Sequence, residues 1–591
     1  MNLWIAKLGG VGFSAKNIGE VEKIAARYKT LEHREFTQFK SQHIHFLSFA
    51  TTQEYGKKKY NSSNDHQLIA FSGLPVAGRS EYHDYRDVNN LKKFIKDYKT
   101  ANNELLGQYA LLQASLDEFE CFTDFLGIHK IFYSQLSNGE ILVSNSVLCI
   151  QCIKGKEINY DFYVNWIAFG EIYGYETEDK NIHTLPEFGH LKWSGSDGLK
   201  INMVSSLTTL ILPEKSSEHD IHYYIRETVS DFKKSIRYIT EFHESVLPLS
   251  GGYDSRLILE VFTLFNTSGL ECYTYPDNEA DVKYAKKIAR YYQVNHKVLK
   301  PEKNLEEIEA NESLFFPGDA FLDYSKVFGF QFREQKKKYS ENGLKVLLKG
   351  DGAGTHAILR KYSQSNDGNP LEAINLIINK SFVKGILKTD VEQIFWNKMK
   401  TYYKKKYIDL VRQSETTHAF ASIYYFLERF GNYQSHKLIN GYQLNDMYLP
   451  YANQNFIKAV FLSPQIKLIK NRKMSLHHLL HKELLGDGTK PIHYVDGIHW
   501  EANKFQRIHY RIQKMLKKKI LMSDIKYSTA VRDQFFEKNK NTFKEVILSS
   551  STNELWNYFD YDNLRKSFLS DKINSSQRKA IYKIVPLLDK H

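Results

Sequence analysis

The sequence predicts an α+β sandwich followed by an α/β parallel-sheet domain with helical additions. Three observations carry this expectation. From Ile44 to about Leu212, short apolar runs punctuated by turn residues dominate, which is a strand pattern. From Asp220 onward, strands alternate with amphipathic helices, the order that builds a parallel sheet. Between these helices and strands lies Leu247-Pro-Leu-Ser-Gly-Gly-Tyr-Asp-Ser-Arg256, where a glycine turn separates an apolar strand from an apolar-periodic helix.

Composition sets the outer bounds. The 591 residues can hold several domains, and 42% hydrophobic with 14% aromatic residues supply a sizeable core. Four cysteines in so long a chain make no disulfide framework, which agrees with a reducing compartment. No apolar stretch reaches membrane-spanning length, and Met1-Asn-Leu-Trp-Ile-Ala-Lys7 lacks the pattern of a signal peptide, so a cytoplasmic protein with no membrane partner is expected. The net charge of +13 arises from 81 Lys+Arg against 68 Asp+Glu. Its lysine triplets at Lys57, Lys336, Lys404 and Lys517 are scattered, which reads as a solvated surface and not as a nucleic-acid groove.

In the first part, strands are expected at His43–Phe49, Gln67–Phe71, Gln108–Gln113, Glu120–Thr123, Ile131–Tyr133 and Ile141–Ser144, with an amphipathic helix over Asp87–Ala101. Cys149-Ile-Gln-Cys152 is a lone CxxC; with no second pair to complete a zinc set, the two thiols are read as core residues.

The glycine stretch carries the chemistry. Ser245–Leu249 reads as a buried strand and Arg256–Phe262 as a helix, with Ser250-Gly251-Gly252 between them. Adjacent glycines let backbone N–H groups approach an anion closely, and a helix N-terminus adds unpaired donors and the positive end of a dipole. Leu249, Ser250, Gly251, Gly252 and Ser255 are therefore candidate phosphate-binding residues. Asp254 would repel a bare phosphate, so a bridging Mg²⁺ is expected with it. The spacing differs from the phosphate loop that ends in Gly-Lys-Ser/Thr.

Ser-Gly-Gly-Tyr-Asp-Ser resembles the pyrophosphate loop of enzymes that split ATP into AMP and pyrophosphate. About a hundred residues earlier, Gly107-Gln-Tyr-Ala-Leu111, Thr123-Asp-Phe-Leu-Gly-Ile-His-Lys-Ile-Phe-Tyr133 and Gly139-Glu-Ile-Leu-Val-Ser-Asn-Ser146 resemble the N-terminal glutaminase domain of the asparagine synthetase family. The resemblance covers residues 1 to about 495. It implies an Ntn-hydrolase-like sandwich over 1–212, a PP-loop ATP pyrophosphatase (HUP-like) synthetase domain over 213–499, and leaves 500–591 as a basic helical extension.

The sequence departs from the family in ways that change its chemistry. The glutaminase needs a cysteine after the initiator methionine as thiol nucleophile, and position 2 is Asn2. Ser72 replaces the asparagine whose amide helps to build the oxyanion hole. Both losses predict a dead glutaminase.

In the second domain, Tyr275 closes a strand beside the first and is expected near adenine and ribose. Leu344–His356 reads as a strand entering a second glycine loop, Gly350-Asp351-Gly352. The resemblance places a catalytic and metal-binding acid at Asp351, with Gly350 and Gly352 against the nucleotide. The family's following Asp-Glu is here Gly354-Thr355, so either Asp351 serves the metal, or Asp254, phosphates and water hold it, or the chain is weakly catalytic. A helical region is expected over 370–485, in which Tyr442–Tyr451 resembles the segment before the acceptor-pocket wall. The family's lysine over the transferred phosphate maps to Lys490 first and Lys473 second. His477 and His481, one turn apart on a helix, are read as structural.

The resemblance thus implies ATP and Mg²⁺ as cofactors and carboxylate adenylation followed by attack of an amine. Members without the cysteine include β-lactam synthetases and lasso-peptide cyclases, and Arg256 together with the degenerate N-terminal domain is closer to the latter. The lasso reading implies a precursor peptide and a leader-peptide protease as partners. An ammonia-using amidotransferase on a small molecule or sugar, a tRNA-modifying adenylating enzyme and a non-catalytic scaffold remain alternatives. Oligomeric state, acceptor and amine stay open at this level.

Overall fold

Alternation along the N-terminal strands sorts their side chains onto two faces. In β1 (Asn2–Leu8), Trp4, Ala6 and Leu8 enter the space between two sheets, whereas Leu3 and Ile5 pack beneath helix α1 (Ala15–Ala26) with Val21, Ile24 and Ala25. After β2 (Arg34–Lys40), strand β3 (Ile44–Thr51) repeats the division, Ile44 and Phe46 going one way and Leu47 and Phe49 the other. The chain continues through β4 (Tyr60–Asn64), β5 (Gln67–Ala77), β6 (Leu105–Ala114), β7 (Glu118–Thr123), β8 (Phe132–Gln135), β9 (Ile141–Ser144), α2 (Val147–Lys154), α3 (Tyr160–Val164), β10 (His183–Thr184), β11 (Gly189–Ser194) and β12 (Gly198–Met203).

The structure is a computed structural model that describes residues 2–26, 34–51, 60–64, 67–77, 105–169, 174–204, 221–301, 345–352, 385–413, 424–434, 446–462, 476–486 and 527–588, apart from two single positions, with short pieces near 90–96, 332, 382–383 and 505–512. Two six-stranded antiparallel sheets, ordered β10-β8-β9-β1-β3-β2 and β12-β11-β7-β6-β5-β4, stack face to face. In the second sheet, Leu68, Ala70, Leu112 and Cys121 fill the space between sheets, and Ile69, Phe71, Leu111 and Phe122 point away into the largest core cluster. Both faces being covered explains why β5 reads as an unbroken apolar run.

The expected strands are present, and so is an earlier group the sequence reading passed over: β1, α1 and β2 precede Ile44. With Leu3, Trp4, Ile5, Ala6 and Leu8 all buried, β1 offers no polar alternation to betray it. The helix expected over 87–101 lies mostly outside the described residues. Cys149 is buried in the core layer beneath α1, as expected of a core thiol, and among the described residues no group of three or more His, Cys, Asp or Glu is set to hold a metal.

The second part is a five-stranded parallel sheet, β15-β14-β13-β16-β17. Helix α4 (Ile221–Phe242) lays Tyr224, Ile225, Phe232, Ile236 and Ile239 into the largest cluster and leads into β13 (Ser245–Pro248). Then come α5 (Asp254–Phe262), β14 (Leu270–Thr274), α6 (Glu279–Tyr291), β15 (Asn295–Val298) and β16 (Val346–Leu348). The chain therefore starts at the centre, walks outward through β14 to β15, and returns to the other side of β13 for β16. A crevice opens at the carboxyl ends of β13 and β16, where successive connections leave in opposite directions.

Beyond β16 lie α7 (Thr389–Gln413), a π-helical segment Tyr425–Gln434, edge strand β17 (Met447–Tyr448), α8 (Gln454–Leu462) and α9 (Leu476–Leu485). The helical reading of 370–485 missed β17, which is too short at two residues to show any period. The extension forms α10 (Tyr527–Ser549), α11 (Tyr561–Leu569) and α12 (Ser575–Leu588), and its aromatic residues Phe535, Phe536, Phe543 and Tyr582 join the largest cluster. The Ser528 N–H at the start of α10 donates to Asp277 Oδ1 at 2.8 Å, which brings the extension to the carboxyl end of β14. No helix among the described residues is long and apolar enough to cross a membrane.

Two polar joints tie the sandwich to the parallel sheet. Gln108 of β6 is 1% exposed; its Oε1 accepts the Leu449 N–H at 2.8 Å and its Nε2 donates to the Leu449 carbonyl at 3.4 Å. One side-chain amide thus pairs with both backbone groups of the residue after β17. At the second joint, Lys406 of α7 donates to Glu187 and Glu428 at 3.0 Å each, and Tyr407 donates to Glu428 as well. Burial weakens the Lys406 ammonium, but the two carboxylates dominate and hold its pKa well above the ordinary lysine value.

Gln108→Ala leaves the buried Leu449 N–H unpaired, while the Leu449 carbonyl still accepts from the Ala452 N–H at 3.0 Å; the loss costs ~1–3 kcal/mol. Urea unfolding should show a lower midpoint, with Gln108→Glu, which keeps only the acceptor, falling in between. An unchanged midpoint would mean that the amide pairing does not hold the two parts together.

Candidate functional site

The loop at the crevice is anchored from β14. Leu249 N–H donates to the Tyr273 carbonyl at 2.8 Å, and Thr274 Oγ1 donates to the Leu249 carbonyl at 2.6 Å. Ser255 turns its hydroxyl back to accept the Ser250 N–H at 3.0 Å, while Ser250 Oγ accepts the Gly252 N–H at 3.2 Å. Helix α5 begins directly afterwards. Tyr253, at its N-cap position, makes no side-chain capping hydrogen bond, so the first turn retains donors and the dipole's positive end. The strand, glycine turn and helix expected from the sequence are all present, the helix starting two residues earlier, at Asp254.

The Gly251 N–H is where geometry adds most to the sequence reading. It donates to Asp281 Oδ1 at 2.5 Å, from the first turn of α6. A carboxylate of the chain itself therefore occupies the face of the glycine turn that was assigned to phosphate. The amide is directed at an anion, and a phosphate there would take the place of Asp281. Only the general enrichment of acidic residues in first helical turns pointed to this residue.

The second glycine loop crosses immediately above. A Cβ built on Gly350 would meet Asp254 Cβ at 3.0 Å and Ser255 N at 3.3 Å, so glycine lets the two loops approach without either giving way. Gly352 has φ +96° and lies against Phe430 of the π-helical segment and Tyr451. Between them, the half-exposed Asp351 pairs through Oδ2 with Lys349 Nζ at 3.0 Å. The structure thus brings Asp254 and Asp351 to one crevice on adjacent loops, and Lys349 supplies a cation there that the sequence reading did not single out. Lys473 and Lys490, the lysines it did name, lie outside the described residues, as do Gly354 and Thr355.

Asp254 is held from the opposite side. His477 Nε2 lies 2.6 Å from Asp254 Oδ1, and the Tyr451 hydroxyl donates to the Asp254 carbonyl at 3.1 Å. One turn on, His481 Nδ1 stands 2.5 Å from Glu260 Oε2, whose partner oxygen accepts from Tyr292 at 2.9 Å. The sequence reading took His477 and His481 as structural. His481 agrees with that, but His477 touches a site carboxylate. Periodicity showed the two on one helix face, and nothing in it revealed that this face docks on α5.

Tyr275 lies just past the end of β14, packed against Tyr273 and Phe332 at ring-centroid distances of 5.5 and 5.4 Å. Burial pushes its phenol up to about 12, so the ring stays neutral. Two oxygen-bearing carboxylates beside a phosphate-directed turn form a hard donor set suited to Mg²⁺, which commonly takes one or two carboxylates together with phosphate oxygens and water. Asp254 and Asp351 are the residues that would hold it.

In the sandwich, the Ser72 hydroxyl lies 2.6 Å from His129 Nε2 and 3.4 Å from Trp4 Nε1, fully buried. Asn2 is the first residue of the β1 ladder, paired with Ala50. Cys121 faces the core between the sheets, and burial pushes its thiol well above the ordinary value, away from the nucleophilic thiolate.

No family model and no curated protein matches the sequence. Among solved structures, glutamine phosphoribosylpyrophosphate amidotransferase from B. subtilis, complexed with ADP and GMP, is similar over 59% of this chain and 81% of that one, at 9% identity and TM-score 0.24. An allosteric regulatory enzyme of purine biosynthesis is similar over 65% and 78%, at 9% identity and TM-score 0.23. Glutamine-dependent NAD+ synthetase from Acinetobacter baumannii, in complex with ADP, is similar over 39% and 51%, at 15% identity and TM-score 0.19. Likenesses this loose assign no residue; the architecture rests on its own strand order, a sandwich of two antiparallel sheets followed by a five-stranded parallel sheet.

Gly350→Ala tests whether the two loops work as one crevice. The added methyl crowds Asp254 Cβ at 3.0 Å and Ser255 N at 3.3 Å and shifts the turn that bears them, so ATP affinity should fall about tenfold, the equivalent of ~1.4 kcal/mol. Calorimetric titration with ATP should show that loss. Unchanged affinity would separate the Gly350 loop from the nucleotide.

Proposed function

We propose that this chain is an ATP-dependent carbon–nitrogen ligase that adenylates a carboxylate, releases pyrophosphate and passes the acyl group to an amine. The observation that carries the reading is the phosphate-directed turn Ser250–Ser255, set at the switch point of a parallel sheet with Asp254 and the Gly350–Gly352 loop facing each other. The Gly251 amide and the first turn of α5 receive the β- and γ-phosphates in place of Asp281. Tyr275 borders the base, and Lys349, with Lys490 or Lys473 as further candidates, offsets charge at the α-phosphate. Mg²⁺ held by Asp254 and Asp351 would neutralise the pyrophosphate oxygens. The substrate carboxylate attacks the α-phosphorus, the bond to the bridging oxygen breaks, and pyrophosphate leaves; the amine then displaces AMP from the acyl-adenylate.

The amine source follows from the sandwich. With Asn2 at the nucleophile position, Ser72 sealed by His129 and Trp4, and Cys121 buried, glutamine does not serve as donor. The amine is therefore carried by the substrate or is free ammonia. Within this proposal we place the chain with lasso-type cyclases, closing a macrolactam between an Asp or Glu side chain of a precursor peptide and the N-terminus that a leader-peptide protease exposes. Ammonia transfer to a small acid or a sugar acid is the second reading, favoured by the same sealed glutaminase.

Incubation with ATP, Mg²⁺ and the precursor peptide should yield AMP and pyrophosphate and a peptide lighter by one water. Asp254→Asn should lower that turnover by two orders of magnitude or more, since preorganised charge at a phosphoryl centre is worth ~3 kcal/mol or more. Formation of ADP, or full turnover by Asp254→Asn, would overturn the ligase; AMP formation only with ammonia and a small acid would select the second reading.

A further inference from the structure

Asp254 must present an oxygen to the crevice in a fixed direction, and the structure shows what does so. Its carboxylate is 37% exposed, while the imidazole bonded to it is 4% exposed. An ionised carboxylate only accepts hydrogen bonds, so His477 Nε2 is the donor to Oδ1. Among the described residues, Oδ2 has no hydrogen-bond partner. One oxygen is thus tied to a buried ring, and the other is left on a partly exposed side chain whose Cβ adjoins Gly350.

The ring itself has little freedom. Its centroid lies 5.5 Å from that of Tyr253 and 6.3 Å from that of Tyr451, whose hydroxyl holds the Asp254 carbonyl. Four residues on, His481 is fully buried against Glu260, so α9 meets α5 at two points along its length. A carboxylate on the first turn of a helix would otherwise rotate about two side-chain torsions and fold back on the free N–H groups of its own helix. The bond to His477 draws it away from them, leaving those donors for phosphate.

We propose that His477 is a positioning residue for the metal-bridging carboxylate: its Nε2–H fixes Asp254 so that Oδ2 meets the Mg²⁺ carried by pyrophosphate or ATP. This rests on the nucleotide reading above and adds a residue to it. Hydrogen bonds to metal-ligating groups typically tune affinity 10–100-fold, so the effect belongs on metal binding and not on the affinity for the base.

The test uses the full chain, with Mn²⁺ as probe and pyrophosphate as ligand, free Mn²⁺ being read by electron paramagnetic resonance. His477→Phe keeps a ring against Tyr253 and Tyr451 but removes the donor; it should raise the Mn²⁺ dissociation constant at least tenfold. His477→Gln, which restores an N–H near the same place, should return within about threefold of wild type. Wild-type affinity in His477→Phe, with Asp254→Asn still abolishing Mn²⁺ binding, would overturn the role of His477 alone. Unchanged binding in Asp254→Asn would instead remove the metal reading on which it stands. If His477→Phe fails to fold, the wild-type chain answers by nitrogen-15 resonance: Mg²⁺ with pyrophosphate should shift the His477 ring signals, and unmoved signals would refute the proposal.

Discussion

The approach of Gly350 to Asp254 is the constraint on which the rest of the site depends. A Cβ at Gly350 would stand 3.0 Å from Asp254 Cβ, so any side chain there would make the two loops part by a few tenths of an ångström. Parallel pairing of β13 with β16, in register from Ser245↔Val346, brings the loops that far together. The sheet order then sends their connections apart, so the space above them stays open as a crevice. Phosphate-directed amides on one side and two carboxylates at the rim follow from this single juxtaposition.

The sandwich is built into the site's support. Gln108 pairs with Leu449, two residues before Tyr451, and Tyr451 holds the carbonyl of Asp254. The outer face of the second sheet covers α4, which runs directly into β13. Removing the sandwich would expose that apolar face and release the segment that steadies Asp254. The sandwich thus supports the site by packing. The extension does similar work from the other side, where Ser528 reaches Asp277 at the end of β14.

Local chemistry made much of this legible in the sequence. Two glycines between an apolar strand and an apolar-periodic helix signal an anion-directed turn from residue type alone, and Asp254 stood out because an acid beside a phosphate loop needs a cation between them, whereas Asp351 came from the resemblance. What stayed hidden depends on tertiary contact. Asp281 lies thirty residues from Gly251 and His477 more than two hundred from Asp254; no periodicity connects them. Strand β1 was missed because burial on both faces erases alternation, and β17 because two residues carry no pattern. Lys349 was passed over in favour of lysines placed by resemblance.

The central claim is that the turn at Gly251 receives pyrophosphate in place of Asp281. A crystal structure of the full chain with Mg²⁺ and pyrophosphate tests it most directly. The account predicts diphosphate oxygens on the Gly251 amide and the first turn of α5, with the metal between them and Asp254 and the Asp281 carboxylate displaced. Pyrophosphate bound elsewhere, with the bond between Gly251 and Asp281 intact, would contradict it.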